Sequence, residues 1–217
     1  MGERLDGQVV VVGGGDAGVG AAVTRALAGA GARVVVPVPT EEDAERFYLE
    51  ADPATVPRLR TATGPAHDPA TLARIAAVAR REFGGIDHLV AAFRGPSGGG
   101  LDALDADAAQ EALRGHAVAP GLFVLGLLRH LTGSAPVKRV VMLSAPPQAR
   151  HGVEALGHAF AAALAGVLRE HARAGIEPLV LALPATGAAD SGARSAGEAV
   201  VRLLAHGAAG AGGGASG

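Results

Sequence analysis

Val9-Val10-Val11-Val12, running into Gly13-Gly14-Gly15-Asp16-Ala17-Gly18-Val19-Gly20, decides the fold of this chain. Four consecutive β-branched residues suit a strand buried on both faces, and the glycines that follow turn it into a helix with no Cβ in the way. Such a turn aims backbone N–H groups and the positive end of the helix at a phosphate-bearing ligand. Glycine-rich turns also serve tight strand-to-helix packing, so the loop alone does not decide function.

Outward from this stretch, short apolar runs alternate with longer segments of helical period, the pattern of βαβ units around a parallel sheet. Strands are expected over 8–12, 33–38, 58–61, 88–92, 139–143 and 178–182, and helices over 17–30, 41–50, 69–83, 105–131, 152–174 and 196–205. The expected fold class is α/β, a doubly wound Rossmann-like parallel sheet of about six strands with helices on both faces and no seventh strand. One domain is expected over 1–206. The almost pure Gly/Ala tail, 207–217, has too few side chains to offset its ordering entropy and is expected to be disordered. A second loose stretch is expected from Arg94 to Gly100.

The 217 residues suffice for one α/β core, and 49% hydrophobic content comes mostly from Ala and Val broken by Gly, Pro, Arg and Asp, with no uninterrupted membrane span. A charged start, Met1-Gly2-Glu3-Arg4-Leu5-Asp6, runs directly into the first strand, unlike a secretory signal, so a cytoplasmic address is expected. A net charge of −2 with mixed signs argues against nucleic acid and membrane partners. Without cysteine there is no disulfide, thiolate or cysteine nucleophile, and the eight histidines, none in a ligand-pair spacing, read as scattered surface residues rather than metal ligands. The Ala/Gly/Arg-rich composition suggests a bacterium with a GC-rich genome.

The spacing Gly14-x-x-x-Gly18-x-Gly20 resembles the Thr-Gly-x-x-x-Gly-hydrophobic-Gly loop of the short-chain dehydrogenase/reductase family, with Gly13 where the Thr usually lies. Further resemblances follow in order. Phe83-Gly84-Gly85-Ile86-Asp87-His88-Leu89-Val90 is similar to the family's lead into its fourth strand, His116-Ala117-Val118-Ala119-Pro120 to its Asn-x-x-Ala-Pro helix, and Arg139 through Ser144 to the strand before its catalytic Ser. The return from Gly175-Ile176 to Leu183-Pro184 resembles its sixth strand, so the likeness spans roughly residues 5 to 205. It implies a nicotinamide cofactor, NAD(P), held by Gly14, Gly18 and Gly20, and a Ser-Tyr-Lys proton relay.

The departures fall on that chemistry. A tyrosine relay needs its hydroxyl pKa, ordinarily near 10, pulled down by a neighbouring lysine. This chain has one tyrosine, Tyr48, and one lysine, Lys138, neither where the resemblance requires it. Counted from Ser144, the tyrosine position is His158 and the lysine position Ala162; counted back from Gly175, they are Val153 and Gly157. The catalytic Ser falls at Ala145, with Ser144 one place early, and the supporting Asn becomes His116. Family Asn-Asn-Ala-Gly is here Ala91-Ala92-Phe93-Arg94, and at the end of the second strand Val38 and Pro39 stand where an acid or Arg would read the ribose.

Each candidate carries two readings. His158 is either an acid/base group in place of the tyrosine or a helix-surface histidine, and Ser144 either bonds a substrate oxygen or caps the following turn. His116 reads as a packing histidine before a catalytic one. As weaker cofactor candidates, Asp16 repels phosphate unless it turns outward as a helix N-cap, Asp68 takes the adenine-reading place that the resemblance implies only if the register shifts from Pro65-Ala66, and Arg94 holds an anion or is solvated. The short carboxyl end leaves little lid to exclude water.

The helices 105–131 and 152–174, apolar on more than one face, are expected to pair as a homodimer or as a heterodimer with an active relative. Three functional readings result: a non-catalytic partner of an active reductase in a biosynthetic pathway; an enzyme with altered chemistry (cyclase, dehydratase or isomerase) using His158 and Ser144; and an NAD(P)-binding sensor or weak atypical oxidoreductase.

Overall fold

The computed structural model describes residues 3–93, 105–144, 152–171, 175–183 and 189–206. Six parallel strands, β1 (Val9–Gly13), β2 (Arg33–Val38), β3 (Leu59–Thr63), β4 (His88–Ala91), β5 (Lys138–Ser144) and β6 (Ile176–Ala182), form one sheet in the order β3-β2-β1-β4-β5-β6. Among the described residues no strand follows β6. Between the strands run α1 (Gly18–Gly29), α2 (Glu41–Glu50), α3 (Pro69–Phe83), α4 (Ala106–Leu113), α5 (Ala119–Leu127) and α6 (Gly152–His171), and α7 (Ala189–His206) follows β6. The chain order reverses between β1 and β4, the crevice where open α/β sheets take ligands at the carboxyl ends of their strands.

Alternation along β1 divides the core. Val10 and Val12 pack into one cluster with Val23 and Leu27 of α1 and Val200 and Leu204 of α7, while Val9 and Val11 pack with Ile75 of α3, Phe123 of α5 and Leu164 of α6. Both faces of the strand are therefore dry, which is why valine recurs without a polar residue between. Helix starts follow local chemistry: Thr40 and Asp43 make a reciprocal capping box on α2, and Asp68 and Asp105 accept from Thr71 N and Ala108 N to start α3 and α4.

Several boundaries differ from expectation for identifiable reasons. β3 begins at Leu59 because a 3-10 turn over Val56–Arg58, opened by Pro57, takes up Arg58. The expected helix 105–131 is one helical run broken by a π-helical turn, Arg114–Val118, in which Ala119 N bonds Arg114 O; Pro120 has no N–H to continue the regular ladder. That run, Ala106–His130, has the length and hydropathy of a membrane span but packs one side on α3 and β4. α7 starts at Ala189 rather than Ala196, and Gly197 within it is a packing residue: a Cβ there would lie 2.8 Å from Cβ of Ala26. The expected loose stretch 94–100 and tail 207–217 lie outside the described residues.

The reading of the histidines as surface residues fails at His88, which is 1% exposed at the start of β4. Its Nδ1 accepts from Arg139 N (3.0 Å), so the proton sits on Nε2, which donates to Gln8 Oε1 (2.8 Å). Burial, opposed in part by the charge of Asp87, pushes its pKa down to about 4 and keeps the ring neutral.

Candidate active site

The glycine loop is built by exclusion of side chains. Gly14 and Gly18 adopt φ of 72° and 53°, and a Cβ on Gly20 would overlap the carbonyl oxygen of Gly14, so the first turn of α1 lies directly on the loop. Thr24, one turn further along α1 and 2% exposed, donates its hydroxyl to Gly15 O (3.0 Å) and fixes the loop from below. Sequence reading passed over this residue; its signal is a single hydroxyl at helical spacing from Gly20 on an otherwise apolar face.

Asp16 does not cap the helix, contrary to the reading of it as an N-cap. The N-cap is Ala17, without a side-chain bond, because the cap sits one residue later than expected. Burial raises the Asp16 carboxyl pKa, and the charge of Asp43 adds to that. Asp68 Oδ2 is taken by Thr71 N (2.9 Å) and Thr71 Oγ1 (3.2 Å), and these bonds hold its pKa low. Arg94 lies outside the described residues.

These residues answer to a dinucleotide only in part. The side-chain-free turn at the N-terminus of α1 fits a pyrophosphate. The adenosine side does not: Val38 is fully buried, Pro39 has neither donor nor acceptor in its side chain, and an ionised Asp16 opposes phosphate. Phe93 adds a further element that the sequence reading did not single out, since its ring occupies the space above Gly13, 2.6 Å from where a Cβ would stand, and packs edge-on against Phe123 (5.4 Å).

Two sequence candidates are brought together. At the carboxyl end of β5, Ser144 Oγ lies 2.9 Å from His158 Nδ1 on α6, the serine 8% exposed and the imidazole half-buried. Strand alternation sets this contact, because Met142 and Ser144 both face the α6 side. A hydroxyl can donate to or accept from an imidazole, so the pair can pass a proton between Oγ and the ring, leaving Nε2 for a second partner. His116, in the π-helical turn, lies against Gly157, whose Cβ position is 3.3 Å from His116 Nδ1; it thus adjoins the residue beside His158. π-helical turns recur at functional sites.

Tyr48 and Lys138 lie elsewhere. Tyr48, on α2, is 3.4 Å from Thr61 Oγ1 of edge strand β3, four strands from β5 and so about 19 Å across the sheet. Lys138 opens β5 with its ammonium donating to Ala135 O, six residues and about 20 Å along the strand from Ser144.

The family model described as short chain dehydrogenase matches residues 8–114, from β1 into the π-helical turn, and stops before β5 and α6. No curated protein matches the chain. Solved structures that it resembles include a dehydrogenase/reductase from Sinorhizobium meliloti 1021 (20% identity, TM-score 0.76, covering 94% of this chain and 90% of that one). A short chain dehydrogenase from Bacillus anthracis is similar at 18% identity (TM-score 0.76, 92% and 90% covered), as is a short-chain dehydrogenase/reductase from Serratia marcescens at 19% (TM-score 0.74, 93% and 92%). These likenesses carry the fold alone, and the matched segment, just under half of the chain, is similar to the short-chain dehydrogenase family.

Proposed function

We propose that this chain is a family member without hydride chemistry of its own, acting in the cytoplasm as a non-catalytic partner subunit of an active reductase. The observation that carries the reading is the placement of its one tyrosine and one lysine, each about 20 Å from the serine end of β5. A relay through the serine end of β5 needs hydrogen-bond contact there, and those separations argue against one. The incomplete adenosine side supports the same reading. So does the apolar face left by α4, α5 and α6, with Leu113, Val118, Leu122, Leu125 and Val167 all exposed, which suits pairing with a second copy or with an active relative.

The test has two arms. The purified chain, given NADH or NADPH and a panel of ketones, should oxidise neither cofactor, whereas turnover by the chain alone defeats the proposal. Mixed with reductases encoded beside its gene, it should co-elute with one and raise that enzyme's rate; a homodimer that alters no neighbour's activity also defeats it.

The Ser144–His158 contact favours a second reading, acid/base chemistry of the cyclase, dehydratase or isomerase kind, with His158 as proton carrier and Ser144 orienting it. Under this reading His158→Ala abolishes any turnover found, and an unchanged rate removes the residue from the mechanism. Calorimetric titration with NAD(P)H separates both readings from a cofactor sensor, which requires saturable binding.

A further inference from the structure

On the opposite face of the sheet from Ser144, α1 and α7 cross in near-contact at Gly197, whose Cβ position is 2.8 Å from Cβ of Ala26 and 3.1 Å from Ala22 O. Beside this crossing opens a cleft of about 790 Å³, within the range of roughly 300–1,000 Å³ usual for small-molecule sites. Its floor is alanine and valine (Ala22, Ala26, Ala193, Val201), so no long side chain fills it.

The polar lining is unbalanced. Arg25 comes from α1, and Arg194 and Arg202 come from α7; none has a carboxylate within ion-pair distance among the described residues. Two carboxylates share the cleft, Glu3 and Glu198. Glu3 lies 3.5 Å from His206 Nε2, and Glu198, although at helical spacing from both Arg194 and Arg202, pairs with neither. Three guanidinium groups drawn from two helices suit an anion with more than the two coplanar oxygens of a carboxylate. A phosphate dianion accepts from several directions at once.

We propose that the α1–α7 cleft is a binding site for a small phosphomonoester with a short apolar body, its phosphate among Arg25, Arg194 and Arg202 and its body on the alanine floor. The site is separate from the glycine loop, lies on the other face of the sheet from Ser144 and His158, and does not rest on the functional reading above.

The test is calorimetric titration of the full chain with butyl phosphate, inorganic phosphate and, as a charge control, butylammonium. Butyl phosphate is expected to bind saturably and more tightly than inorganic phosphate, with butylammonium not binding. The triple variant R25Q/R194Q/R202Q should keep the melting temperature, since all three side chains are exposed, and weaken butyl phosphate at least about tenfold. Ala193→Leu, which fills the floor and leaves the charges, should weaken butyl phosphate while sparing inorganic phosphate. Absence of saturable binding, equal affinity in the triple variant, or binding that is lost only on Gly18→Val in the glycine loop would each overturn the proposal.

Discussion

A methyl group on Gly20 would occupy the space of the Gly14 carbonyl oxygen, so this position is fixed by the close approach of two backbone segments rather than by torsion. Because neither segment can retreat without opening the loop, Gly20→Ala should lower stability by at least about 3 kcal/mol, read as a shift in urea midpoint at unchanged slope. At the other end of the strands, His88 ties stability to pH instead. The unfolded ring titrates at its ordinary 6.5 and the folded ring at about 4, so between those values the unfolded chain binds more protons. The contribution is therefore complete above pH 6.5, declines as pH falls toward 4 and levels off below, a loss of about 3 kcal/mol across the window. Urea titrations of the native chain and of His88→Gln should differ by that slope, and parallel curves would refute it.

At the scale of elements, α5 buries Phe123, Val124 and Leu127 while Leu122 and Leu125 face outward, Leu125 at 52% exposure. If that outward face is the pairing surface, Leu122→Asp with Leu125→Asp should convert the species seen by sedimentation from twice 21.4 kDa to 21.4 kDa with little change in melting temperature. An unaltered mass would exclude the face. The bounds of α2 and α3 were legible in the sequence because each carries its own start signal, Thr40 and Pro69 after Asp68. The π-helical turn was not, since its cause is one missing N–H at Pro120 inside a run whose apolar period continues unbroken. Nor was the longer α7, whose first turns run through Gly192, a residue of low helix propensity ahead of the expected start at Ala196. At the site, counting from the strand placed His158 on the turn of α6 that meets Ser144. The role of Phe93 and the buried state of His88 depend on neighbours distant in sequence, which no local pattern carries.

Across the whole molecule, Asp87 joins elements far apart in the chain. Its carboxylate, 1% exposed, accepts from Val9 N (2.8 Å) at the start of β1 and from Ala135 N (2.6 Å) in the segment before β5. Asp87→Ala strands two buried donors, and should cost about 3 kcal/mol in a single cooperative transition rather than melting one end first. A biphasic transition would show instead that the two halves of the sheet unfold separately. The sheet itself is a partition: side chains at Val10 and Val12 never meet those at Val9 and Val11. Disturbance on the α1–α7 side thus reaches the α6 side only if β1 shifts as a unit, and mutational screens on the two sides should give independent, additive effects, as for two tenants divided by a bearing wall.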